Sequence, residues 1–199
     1  MSTMDKKIRV FWHETGHFVA ACYNKQHYQG FGTEHITLEY DEPNNDYYGN
    51  HQPLRPPDYV PNGPTRHPAS LIASLSYGCV FQATQHGPQF LECFDWKGNG
   101  DTDINKTSSV AEKIGLFAEE KRPVFTCIEN HFEKIKGNPE FKDLFAQDIT
   151  YLLQSTDNPI KIDLGEVNKI VAAFLPVHEI FYVQFVSELE AIFKPYLKQ

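Results

Sequence analysis

Seven prolines fall between positions 43 and 68. Each lacks an amide donor and fixes its own φ, so neither a regular helix nor a central strand runs through them. They read as one long loop dividing the chain. The loop is rich in Tyr, Leu and Val, which predicts packing on the body. Lids, binding loops and insertions all take such lengths. Ahead of it, residues 6–23 carry Val10, Phe11, Phe18, Val19 and Ala21 at spacings that give a helix a broad apolar surface. Gly30 and Gly32 break that pattern. Residues 35–40 then alternate apolar and polar, with β-branched Ile36 and Thr37, which predicts a strand. A turn cluster follows at 41–46, and Tyr47-Tyr48 begins a returning strand.

Behind the prolines the chain reads as helical to its end. A nearly buried helix is expected over 69–85, stopped by Gly87-Pro88. Residues 90–100 read as irregular, with a turn-rich tip from Trp96. Asp101 and Asp103 are both N-cap candidates for a helix through Val110, Ile114 and Phe117. Further helices are expected at about 123–136, 139–154, 163–174 and 177–195. The expected fold class is mainly α with a small β element near the N-terminus, an α+β chain forming one domain over 1–199.

Composition narrows the function classes. Against 26 acidic residues stand 18 basic ones, a net charge of −8 with no Lys/Arg block, so no footprint for nucleic acid is present. A hydrophobic share of 41% and a charged share of 22% exclude a mainly disordered chain. No apolar run has the length of a signal core or a membrane span. Cys22, Cys79, Cys93 and Cys127 contain no Cys-x-x-Cys pair and read as buried reduced thiols. A soluble cytoplasmic protein is expected.

Chemistry concentrates in His13-Glu14-Thr15-Gly16-His17. On a helix the two histidines lie one turn apart and about 40° apart around the axis, so both imidazoles reach one cation from the same side. Glu14 is offset by about 60° from His17, which suits a general base acting on metal-bound water rather than a ligand. Gly16 costs a helix about 1 kcal/mol relative to alanine. Tolerating it points to another backbone passing close by, expected to carry the remaining ligand. His178-Glu179 lacks the second histidine, because position 182 is Tyr, and reads as structural. His27, His51, His67, His86 and His131 have no ligand spacing and read as surface or capping residues.

The run from Val10 to Ala21 resembles the metal-binding helix of the FtsH-type ATP-dependent metalloproteases, whose motif is His-Glu-Ala-Gly-His. Residues 34–38 followed by Tyr48-Gly49 resemble the strand and glycine-containing return of that family. Residues 70–78 to Gly87, then 100–106, resemble its next helix and the glycine-rich turn before its aspartate ligand. The resemblance covers about 8–115, leaving a helical portion at about 116–199. It implies a zincin-like, FtsH peptidase-domain-like helical fold, with His13, His17 and Asp103 as Zn2+ ligands and Glu14 as general base. Asp101 is the competing third ligand, and either aspartate is otherwise a plain N-cap. No Gly-x-x-x-x-Gly-Lys-Ser/Thr loop occurs in these residues, so the family's ATP-driven processive degradation does not carry over.

The expected function is therefore a zinc-dependent peptidase acting on a peptide or protein substrate, with strand 35–40 as the edge that aligns it. The alternatives are a non-catalytic or weakly active interaction protein on the same scaffold, and a zinc hydrolase of non-peptide amides.

Overall fold

A computed structural model describes residues 1–55, 67–87, 90, 93 and 100–197. The expectations for the middle of the proline-rich loop and for the Trp96 tip lie outside the described residues.

Helix α1 spans Thr3–His27, longer at both ends than its apolar pattern suggests. Its start is set by a capping box: Ser2 Oγ accepts from the Asp5 amide at 3.1 Å, and Asp5 Oδ2 accepts from the Ser2 amide at 2.9 Å. The helix is buried around most of its circumference, polar residues included. Lys7 reaches the Leu153 and Ser155 carbonyls at 2.9 and 3.1 Å, and Arg9 Nη2 donates to both oxygens of Asp46 at 2.6 and 2.7 Å.

Strands β1 (Thr33–Asp41) and β2 (Asp46–Pro53) form an antiparallel hairpin. The loop expected from residue 43 therefore begins later. Pro43 sits in the turn and Pro53 closes the strand, so neither removes a donor from inside the ladder. A third strand, β3 (Ile160–Ile162), pairs antiparallel with Ile36–Leu38, giving the order β2-β1-β3. Its three residues are too few to show a period in the sequence. With β3 alongside, β1 is the central strand, which corrects the expectation that it forms the edge. Ile36 and Leu38 point into the core between the sheet and α1.

The remaining elements are helical. Helix α2 (Pro68–His86) ends at Gly87, whose φ of 73° is the left-handed cap glycine tolerates. Helix α3 (Gly100–Ile114) stops before Phe117 is reached. Gly115 adopts φ 100°, and the Leu116 amide returns to the Ala111 carbonyl. Helices α4 (Arg122–Ile135), α5 (Pro139–Phe145), α6 (Leu164–Val171) and α7 (Phe174–Phe193) follow. The helix expected over 139–154 is broken. Asp148 Oδ1 accepts from both the amide and the hydroxyl of Thr150 at 2.9 and 2.6 Å, starting a separate 3-10 turn over Thr150–Leu153. The chain is thus mainly helical with a small three-stranded antiparallel sheet. Among the described residues no single helix is long and apolar enough to cross a membrane.

A buried polar chain crosses the core where α2, α4 and α7 meet. Tyr77 Oη lies 2.9 Å from His178 Nε2 and 3.2 Å from His131 Nε2, and His178 Nδ1 lies 3.4 Å from Glu140 Oε1. With Nδ1–H of His178 directed at the carboxylate, its Nε2 accepts from the tyrosine hydroxyl, which in turn accepts from His131 Nε2–H. His131 stacks on Phe185 at 4.1 Å and is a core residue, not the surface or capping histidine its spacing suggests. Burial pushes His131 down to about 3 and His178 down to about 4, so both are neutral in the folded chain. Unfolding below pH 6.5 takes up protons at both. Stability is therefore expected to fall by about 3 kcal/mol or more between pH 6.5 and 4. Urea midpoints that stay flat over that interval would contradict the assignment.

Candidate metal centre

Helices α1 and α2 run antiparallel and meet at successive turns. Asn24 donates to the Ser70 carbonyl at 3.2 Å, His17 Nδ1 to the Ser74 carbonyl at 2.8 Å, and His13 Nδ1 to Gln82 Oε1 at 2.9 Å. Between these contacts the backbones nearly touch. A Cβ at Gly16 would overlap the Tyr77 carbonyl, and one at Gly78 would stand 2.5 Å from His17 Nε2 and 2.7 Å from His13 Nε2. Ser74, Gly78 and Gln82, four residues apart, form one stripe of α2 beneath the two rings. Gly16 does admit a neighbouring backbone. That backbone brings the hydrogen-bond partners of the imidazoles, and the expected third ligand comes from elsewhere.

Asp103 is the fourth residue of α3, inside the helix rather than its N-cap. Its Oδ2 lies 3.1 Å from His13 Nε2 and 3.1 Å from His17 Nε2, and the two Nε2 atoms are themselves 3.1 Å apart. The structure brings His13, His17 and Asp103 together as a group whose ligand atoms converge. The Asp101 side chain lies outside the described residues.

The donor set fits a cation. Each histidine spends its Nδ1–H on an acceptor of α2, so a neutral ring turns the Nε2 lone pair toward the carboxylate oxygen. Three acceptors facing one another at 3.1 Å repel unless a positive charge lies between them. Two atoms bonded tetrahedrally at about 2.0–2.1 Å to one ion stand about 3.3 Å apart, close to the separations seen. Without an ion a proton must serve. Burial disfavours a charged His17, yet the Asp103 carboxylate overrides it and carries the ring up to about 9. Against its own desolvation, Asp103 is held below the usual carboxylate range by His17 and His13.

Glu14 is 3% exposed, and its carboxyl packs against the backbone of β2 at Gly49, where a Cβ would collide with it. Burial raises its pKa, opposed by the charges of His13 and His17. Two residues along the same face of β2, His51 lies 5.9 Å from the His17 ring, with Nε2 2.7 Å from Thr33 Oγ1. Burial holds it down to about 3, so it is a neutral wall of the site rather than a surface histidine. The i, i+2 pair 49/51 on a strand facing the i, i+3 pair 14/17 on a helix was the available sequence signal. Gln82 could have been found as a polar residue within the apolar run 79–83. Its Nε2 is buried without a hydrogen-bond partner among the described residues, at a cost of about 1–3 kcal/mol. Among the other histidines, His67 caps α2 at the Ser70 amide and His27 pairs with Glu179.

No family model matches the chain, and no curated protein matches it.

A methyl group at position 78 would intrude on both Nε2 atoms at once. Gly78→Ala is therefore expected to weaken divalent-cation binding at this candidate centre by about tenfold or more in competition with a chelator. Parental affinity in that variant would show that the rings do not converge over Gly78.

Proposed function

We propose that the chain is a zinc-dependent peptidase with a zincin-like, FtsH-type metal site. The observation that carries this reading is the convergence of His13 Nε2, His17 Nε2 and Asp103 Oδ2 at 3.1 Å, with Glu14 beside them on the same helix. Three protein ligands leave a tetrahedral ion one open position, as catalytic rather than structural zinc requires. Held by His13, His17 and Asp103, Zn2+ would supply Lewis-acid polarisation of a carbonyl and make water a stronger acid. His13 and His17 present neutral Nε2 atoms because α2 holds their Nδ1 protons. Glu14, raised by burial, takes a proton from the attacking water and returns it to the leaving amine. An extended peptide or protein substrate would add to β2, the strand that lies against Glu14. The Cys22, Cys79 and Cys127 thiols are not joined in disulfides, which fits a reducing compartment such as the cytoplasm.

Burial supports a second reading. His13, Glu14, His17 and Asp103 are 2%, 3%, 8% and 4% exposed, so the same ion could serve a non-catalytic interaction protein. Glu14→Gln separates the two. It is expected to retain zinc and to lose at least about a hundredfold in peptide turnover, whereas His13→Ala loses zinc and turnover together. A Glu14→Gln protein that cleaves a mixed peptide library as fast as its parent would refute the peptidase mechanism.

A further inference from the structure

We infer that Gln82 is a positioning residue of the metal centre, its carboxamide oxygen holding His13 in the tautomer whose Nε2 lone pair faces the ion. The inference rests on reading His13, His17 and Asp103 as a metal site. It goes further in assigning a role to a residue of another helix that touches neither ion nor substrate.

The two imidazoles are held differently. His17 donates to a main-chain carbonyl, that of Ser74, which no side-chain replacement removes. His13 depends on a side chain, because its Nδ1 lies 2.9 Å from Gln82 Oε1. The opposite orientation of the amide would turn an N–H toward Nδ1. The ring proton would then move to Nε2, where it blocks coordination. Gln82 is fully buried, with Cys79, Val80, Phe81 and Ala83 buried around it in sequence. Its Nε2 finds no hydrogen-bond partner among the described residues. A glutamine retained for packing alone would be better replaced by an apolar residue of the same length. Among the described residues, one end of the amide goes unsatisfied while the other meets a candidate ligand ring. Oriented histidine ligands of this kind lose about 10- to 100-fold in metal affinity when the outer partner is removed.

Gln82→Met keeps length and volume and removes the acceptor, while Gln82→Glu restores one. Zn2+ affinity is read by competition with a chromophoric chelator, and the thermal stability of the metal-free protein is measured alongside. Gln82→Met is expected to bind Zn2+ about 10- to 100-fold more weakly, with the metal-free protein as stable as its parent. Gln82→Glu is expected to return to the parental affinity or exceed it. Parental affinity in Gln82→Met, or no recovery in Gln82→Glu, would overturn the inference. So would a loss in Gln82→Met matched by an equal loss of metal-free stability, which is the mark of a packing role. A parent protein that binds no divalent ion sinks the metal-centre reading itself, an outcome visible before any variant is made.

Discussion

The backbones of α1 and α2 can approach as they do because Gly16 carries no side chain, and the two histidine rings can converge because Gly78 carries none. Gly16 lets the Tyr77 carbonyl rest against α1, and Gly78 leaves open the space over which the His13 and His17 rings converge. Each glycine costs its helix about 1 kcal/mol relative to alanine. The return is register: with the backbones this close, Ser74 and Gln82 fall under the two Nδ1 atoms, and both rings turn the same nitrogen outward. Asp103 then needs only a place on the first turn of α3 to complete the group. Close backbone contact, ring orientation and charge are successive consequences of one packing constraint.

The hairpin supplies a second wall. Gly49 of β2 gives room to the Glu14 carboxyl, and His51 lies beside His17. Its turn is tied to α1 by the Arg9–Asp46 ion pair and by Lys6, which donates to the Asn45 carbonyl. Strand β3, from far along the chain, covers the other side of β1, and β2 is the strand that lies against Glu14 and His17. The sheet is small, yet it decides which strand can receive a substrate in the proposed peptidase.

Short-range features were the readable ones. The i, i+4 spacing of His13 and His17, the alternation over β1, and the glycine stop after α2 each depend on neighbours within a turn or a few residues. What depends on distant partners was not readable. Strand β3 exists because Ile36–Leu38 offers it a ladder, and His131 is buried because Tyr77 reaches it from another helix, whereas His178, read as structural from its apolar helix, does lie in the core. The reason for Gly16 was half legible. Its backbone neighbour followed from the missing Cβ, whereas the identity of that neighbour depended on how α2 folds back. Gln82 and His51 carried no ligand spacing, since their relation to the site exists only across an interface.

The most direct test of the account is X-ray absorption spectroscopy at the zinc edge on the Zn2+-loaded protein. The packing of α1, α2 and α3 predicts two imidazoles and a carboxylate oxygen in the first shell, all at about 2.0–2.1 Å, with no sulfur. A sulfur scatterer at about 2.3 Å, or a shell containing a single imidazole, would contradict it.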